Sequence, residues 1–84
     1  MAKVIIYSSD WCPYCTRAKQ LLHSKELAFE EIKVDGKAAL RAQMAEKAKR
    51  TSVPQIWIGE LHVGGCDELF ALERAGKLDQ LLAG

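Results

Sequence analysis

The hydrophobic pattern changes period several times along the chain, and each change marks an element. Lys3-Val-Ile-Ile-Tyr-Ser8 is nearly continuous in apolar character and rich in β-branched and aromatic residues, which predicts a central strand buried on both faces. Ser8-Ser9-Asp10 supplies turn and cap chemistry. Ala18, Leu21 and Leu22 then recur at helical spacing with Arg17, Lys19 and Gln20 between them, which predicts a helix from Thr16 to Ser24 or Lys25. Pro13 is tolerated in the first turn, where its missing N–H would have no partner anyway. Ala28 to Val34 reads as a second strand, and a strand–helix–strand order requires a crossover, so the two strands are expected to run parallel with a right-handed connection. Asp35-Gly36 makes a turn, with Asp35 expected to cap the next helix, Lys37 to Lys49. That segment is rich in good helix formers but has only Leu40 and Met44 as large apolar residues, so it is expected at the surface over a narrow buried stripe.

The second half reads in the same way. Gln55 to Ile58 and Leu61 to Val63 flank Gly59-Glu60 as a hairpin with a two-residue turn, broken by Gly64-Gly65. Cys66 to Ala75 is a helix with Leu69, Phe70 and Leu72 inward and Gly76 as its stop, and Leu78, Leu81 and Leu82 form a last short helical turn. The order βαβ, α, ββα fits an α/β fold in which a four-stranded mixed sheet carries helices on both faces. No repeat, linker or low-complexity segment divides the 84 residues, so one domain is expected over positions 1–84.

Composition narrows the function. With 49% hydrophobic and 27% charged residues the chain is ordinary for a globular protein, and a formal net charge of +1 gives no reason to expect nucleic acid or a membrane surface as partner. No apolar stretch approaches the ~20 residues of a membrane span, and Val4-Ile5-Ile6-Tyr7 is too short for the apolar region of a signal peptide, so the cytoplasm is the expected location. Three cysteines, an odd number, argue against a disulfide-stapled scaffold.

The chemistry centres on Asp10-Trp-Cys-Pro-Tyr-Cys15. Two cysteines three apart, between a strand and a helix, put a thiol at a helix start, where free N–H groups and the helix dipole favour a thiolate. Cys12, nearer the loop, is the expected nucleophile, and Cys15, one turn in, is expected to be partly shielded. Zinc also uses this spacing, but it needs four ligands, and His23, His62 and Cys66 are scattered, so no metal site is expected. Pro54 after Thr51-Ser52-Val53 is compatible with two geometries: a cis bond that turns the Val53 backbone outward to pair with an extended peptide, or a trans proline starting an edge strand. Gly64-Gly65-Cys66-Asp67 is likewise open, either presenting N–H groups to an anion or forming a flexible exit with Asp67 and Glu68 complementing the helix dipole. Cys66 alone reads as a small packed residue or spectator thiol. Trp11 and Tyr14 flank the thiols and are placed to pack against a ligand, while Trp57 is expected in the core. Lys49 and Arg50 either end a solvated helix or face a carboxylate near Val53.

Cys12-Pro13-Tyr14-Cys15, Ser52-Val53-Pro54 and Gly64-Gly65-Cys66-Asp67, in this order and spacing, resemble the three motifs of the dithiol glutaredoxins. The resemblance spans the chain from Lys3 onward. It implies a thioredoxin fold with sheet order 2-1-3-4 and a cis Pro54. It implies glutathione as co-substrate, lying extended across the site with its cysteine backbone paired to Val53. The γ-glutamyl carboxylate would then meet Cys66 and Asp67, Tyr14 would pack alongside, and Arg50 or Gln55 would approach the glycyl carboxylate. It also implies a monomer that reduces protein disulfides and glutathionylated proteins, with ribonucleotide reductase as one partner class, Cys12 attacking and Cys15 resolving. Two residues depart from the family pattern. Ser9 stands where a lysine is common, which removes that lysine's help to the thiolate and to the glycyl carboxylate, and Ser52 replaces the usual threonine. Two other functions remain as alternatives: an iron–sulfur cluster module, two chains each giving Cys12 with two glutathiones, and a thioredoxin-like donor reduced by a flavoenzyme. Pro13 argues against the first, since cluster-binding relatives usually carry a smaller residue there. Pro13-Tyr14 in place of Gly-Pro argues against the second.

Overall fold

The structure is a computed structural model and describes residues 2–83. Its elements are β1 (Val4–Ser8), α1 (Pro13–Ser24), β2 (Glu30–Lys33), α2 (Ala38–Ala48), β3 (Gln55–Ile58), β4 (Leu61–Gly64), α3 (Cys66–Arg74) and α4 (Leu78–Ala83). The strands form one sheet in the order β2-β1-β3-β4. β1 runs parallel to β2 and antiparallel to β3, and β3 pairs antiparallel with β4.

The near-continuous apolar runs of the two inner strands are explained by their two covered faces. Successive side chains on a strand point to opposite sides. Val4 and Ile6 of β1 and Ile56 and Ile58 of β3 join Ala18 and Leu22 of α1, Leu69 of α3 and Leu78 and Leu82 of α4 on one face. Tyr7 and Trp57 point the other way and pack with Val34, Met44 and Ala48 under α2. Tyr7 and Trp57 meet edge to face at 5.4 Å between centroids, and Lys47 Nζ lies 5.2 Å from the Trp57 centroid. Trp57 is therefore core, as expected. Burying side chains of this size stabilises by about 1.5–3 kcal/mol each. No helix among the described residues is long and apolar enough to cross a membrane.

Several boundaries differ from the sequence expectation, each for a local reason. α1 begins at Pro13, which takes the first turn as expected and extends the apolar-periodic run from Thr16 backwards, because Cys12 occupies the N-cap and its Sγ accepts from the Cys15 N–H. β2 is shorter than Ala28 to Val34, since it is an edge strand paired on one side only. Gly64 does not break the hairpin but ends β4 at φ +114°. Asp35 does not cap α2: Lys37 holds that position without a side-chain bond. The Asp35 carboxylate instead accepts from Ser9 Oγ at 2.5 Å and the Asp10 N–H at 2.7 Å. Parallel pairing of β1 with β2 sets Ser8 beside Lys33, and that register delivers Asp35 to the loop before α1.

The same registers assemble the site. Tyr7 pairs with Gln55, so the residues just before β3 lie beside those just after β1. Residues 52–54 are thereby brought against Cys12, 41 positions away from Val53.

Candidate active site

Cys12 is part-buried and Cys15 fully buried, and both are free thiols. The Cys12 Sγ accepts from the Cys15 N–H at 3.1 Å and lies 3.5 Å from the Val53 carbonyl oxygen, to which its thiol donates. One sulfur thus sits on a helix-start donor, which favours negative charge there. Cys15 is the opposite case. Burial, then its hydrogen bond to Cys12, push its thiol up to about 12, against the pull of the Ser9 N–H and Lys19. The outer sulfur is the more accessible of the pair, and the inner one is held protonated.

The loop carrying Cys12 is clamped from β2. Asp35 takes Ser9 and the Asp10 N–H, and the Asp10 carboxylate pairs with Lys33 at 2.9 Å. Ser9, at the position where a lysine is common, spends its hydroxyl on this clamp. The Val53–Pro54 bond is cis, settling the alternative left open by sequence.

A groove of about 200 Å³ opens beside Val53, whose carbonyl oxygen the Cys12 Sγ meets. Tyr14 stands at one side, Arg50, Ser52, Val53 and Pro54 form its floor and rim, and Gly65, Cys66, Asp67 and Glu68 at the start of α3 close it. Six of the residues expected at a ligand site therefore come together here: Tyr14, Arg50, Val53, Pro54, Cys66 and Asp67. Trp11 is 91% exposed and Tyr14 55%, so both flanking aromatics are open to solvent. Burial pushes the Cys66 thiol up, consistent with a packed residue more than a second nucleophile.

Gln55 is the correction. It is fully buried and does not line the groove. Its Nε2 donates to the Ser52 carbonyl at 2.9 Å, and its Oε1 lies 2.7 Å from His62 Nε2, a pattern that assigns the His62 proton to Nε2. His62 in turn lies against Trp57, 4.7 Å between centroids, and burial lowers its pKa. With both ends of its amide engaged, Gln55 supports the Ser52–Pro54 loop from beneath and leaves Arg50 as the cation of the groove. Nothing in the local sequence pattern marks His62 for this part.

Glu68 does more than complement the helix dipole. Its Oε1 accepts from the Gly65 N–H at 2.6 Å and meets Arg50 Nη1 at 3.4 Å, joining the α3 start to the opposite rim. The Gly65-x-x-Glu68 spacing of a capping box is the signal that points to it. Bonding from the Gly65 N–H first, with Arg50 beside it, lowers the Glu68 pKa. Asp35 is lowered by the Asp10 N–H and then the Ser9 hydroxyl. A depressed carboxylate pKa gives stability that is present above the ordinary value and lost as pH falls through the folded one. Urea midpoints should therefore fall as pH drops below 4.5, the ordinary value for glutamate. Glu68→Gln, which keeps an acceptor but not the charge, should flatten that slope, and an unchanged slope would remove Glu68 from the account.

A Cys-x-x-Cys pair opening α1 beside a cis proline, on a sheet of this order, defines a thiol–disulfide oxidoreductase of the thioredoxin fold. The family model described as Glutaredoxin matches residues 4–63. A glutaredoxin of Pseudomonas aeruginosa is 66% identical over 83 residues, covering 99% of each chain. Glutaredoxin 3 of Escherichia coli is 54% identical over 82 residues, covering 98% of this chain and 99% of that one. Among solved structures, a buckwheat glutaredoxin–glutathione complex superposes with a TM-score of 0.90 at 29% identity, over 98% of this chain and 77% of that one. The chain belongs to the glutaredoxin family.

Proposed function

We propose that this protein reduces glutathione mixed disulfides and protein disulfides with glutathione as electron donor. The observation that carries this reading is the groove between the Val53 backbone and the α3 start, with the Cys12 Sγ 3.5 Å from the Val53 carbonyl oxygen that lines it. It sets a backbone edge and a helix start within reach of the nucleophile, the features that an extended peptide with a terminal carboxylate would use. The likeness to a buckwheat glutaredoxin–glutathione complex supports the identity of the peptide.

In this mechanism the Cys12 thiolate attacks the glutathione sulfur of a mixed disulfide. The Cys12–glutathione disulfide forms as the bond to the protein sulfur breaks, and the protein leaves as a thiolate that takes up a proton. A second glutathione thiolate attacks the glutathione sulfur, giving oxidised glutathione and restoring Cys12. With a protein disulfide, Cys12 forms a mixed disulfide with the protein, and Cys15 then attacks Cys12, releasing the protein thiol and leaving a Cys12–Cys15 disulfide. Two glutathiones reduce it. Both routes are exchange steps governed by thiolate fraction and leaving group. The Val53 carbonyl, which accepts from the Cys12 thiol in the free protein, is released on ionisation to accept from the peptide's cysteine N–H. The γ-glutamyl carboxylate is received by the N–H groups at Cys66 and Asp67, and the glycyl carboxylate by Arg50, with Tyr14 packing beside the chain.

Reduction of a low-molecular-weight glutathione mixed disulfide, coupled to glutathione reductase, tests this. Turnover that requires glutathione is expected. Turnover supported by a flavoenzyme donor without glutathione, or none at all, would overturn the reading.

A further inference from the structure

The net charge of +1 conceals a strong asymmetry. Residues 37–50 carry five of the chain's 12 Lys and Arg and one of its 11 Asp and Glu, a net +4, which leaves −3 on the remainder. The positive charge is also uncompensated. Away from this segment, four of seven cations, Lys3, Lys19, Lys25 and Lys33, have carboxylate partners, while Arg17, Arg74 and Lys77 make no ion pair among the described residues. Within it, Arg50 alone is paired, to Glu68; Lys37, Arg41, Lys47 and Lys49 make no ion pair among the described residues.

The placement is not random either. Lys37 and Arg41 are one helical turn apart and share a side of α2. Arg41 Nη1 donates to the Thr51 carbonyl at 3.3 Å, which ties this side of the helix to the loop that floors the groove. Lys49 and Arg50 continue the series, and Arg50 is on the groove rim. Lys37, Arg41, Lys49 and Arg50 are all exposed. They form a cationic ridge leading away from the thiol site. Glutathione has only two carboxylates, and the groove itself accommodates them at the α3 start and Arg50, so the ridge extends beyond what the tripeptide uses.

Building on the proposed function, we infer that this ridge docks an acidic segment of the protein whose disulfide or glutathionylated cysteine is being reduced. A protein bound through its sulfur at Cys12 must pass over the rim, and Asp and Glu near the reacting cysteine meet Lys37, Arg41 and Lys49 beyond it. Such complementarity acts mainly on encounter rate and weakens with salt. A nucleic acid would suit the charge, but it carries no disulfide to present at the groove.

Two glutathionylated peptides of one length, with the cysteine flanked by Asp and Glu or by Lys and Gln, test the inference against a low-molecular-weight mixed disulfide. The acidic peptide should show kcat/KM roughly tenfold above the basic one at low salt, narrowing as ionic strength rises to about 0.15 M, where the Debye length is ~8 Å. Lys37→Glu/Lys49→Glu should remove that preference and leave turnover of the small substrate unchanged. Lys3→Glu/Lys77→Glu, an equal charge change elsewhere, should keep it. Equal kcat/KM for the two peptides, an equal loss in the Lys3/Lys77 variant, or inhibition of acidic-peptide turnover by a single-stranded oligonucleotide that binds the ridge more tightly than the peptide would overturn the inference. Loss of small-substrate turnover in the wild type would instead refute glutathione-dependent reduction itself.

Discussion

Replacing Cys12 by serine should lower reduction of a glutathione mixed disulfide by roughly 10³-fold or more, the scale on which enzymes lose activity with their nucleophile. Cys15→Ser should keep most of that activity and lose the reduction of protein disulfides. The two sulfurs are held very differently. Cys12 receives the Cys15 N–H at the start of α1 and has one side open. Cys15 is fully buried with its thiol near 12, so it cannot compete as the attacking sulfur at neutral pH. A serine hydroxyl at position 12 would occupy the same cap but would not ionise.

The order of the two sulfurs is also built in. Two of the influences that hold Cys15 protonated come from Cys12: the hydrogen bond between them and the charge that Cys12 carries when ionised. Both disappear once Cys12 is tied up in a mixed disulfide, leaving burial against the Ser9 N–H and Lys19. Cys15 thus ionises more readily after the first step than before it. Kinetics of the single variants with small and protein disulfides, at matched glutathione, check the division of labour. Equal loss from both replacements on the small substrate would sink it.

Much of this was legible in the sequence because it is local. The Cys-x-x-Cys pair between a strand and a helix defines its own chemistry, and the apolar runs of β1 and β3 announce two covered faces. Gln55 and Asp35 were misplaced because their side chains choose between partners that only the tertiary structure brings near. In a strand, period two puts Gln55 on the same side as Trp57, but whether a polar group there reaches a ligand or a loop depends on His62, seven residues on. Asp35 stands two residues before the α2 cap, a natural capping position, yet the parallel register lays it against Ser9 and Asp10. The cis geometry at Pro54 was undecided by composition, since the same tetrapeptide permits either isomer. The charge on α2 was visible throughout but vanished in the average over 84 residues.

Gly64→Ala, at the buried end of β4, should cost both stability and glutathione affinity. Gly64 has φ +114°, a backbone region that a side chain rarely adopts, and holding a non-glycine residue in such a region costs of order 1–3 kcal/mol. The added Cβ would also lie 2.7 Å from Glu68 Oε1, 3.0 Å from Glu68 Cγ and 3.2 Å from Arg50 Nη1. Glu68 would have to withdraw, and with it the acceptor of the Gly65 N–H, a bond worth about 1 kcal/mol. At ~4–8 °C per kcal/mol for a domain of this size, a total of about 2–4 kcal/mol should lower the melting temperature by roughly 8–30 °C. The functional loss follows from the same displacement, because Glu68 and Arg50 span the two rims of the groove. KM for glutathione should rise while alkylation of Cys12 by iodoacetamide keeps its wild-type pH profile, since neither the α1 cap nor the Val53 carbonyl touches Gly64. Gly36→Ala and Gly59→Ala supply the comparison: both glycines have positive φ, near +60°, but an added Cβ there meets nothing within 4 Å. They should lose stability from the backbone alone and leave KM intact. If all three variants moved KM together, the groove would be responding to general loosening rather than to the Glu68–Arg50 span.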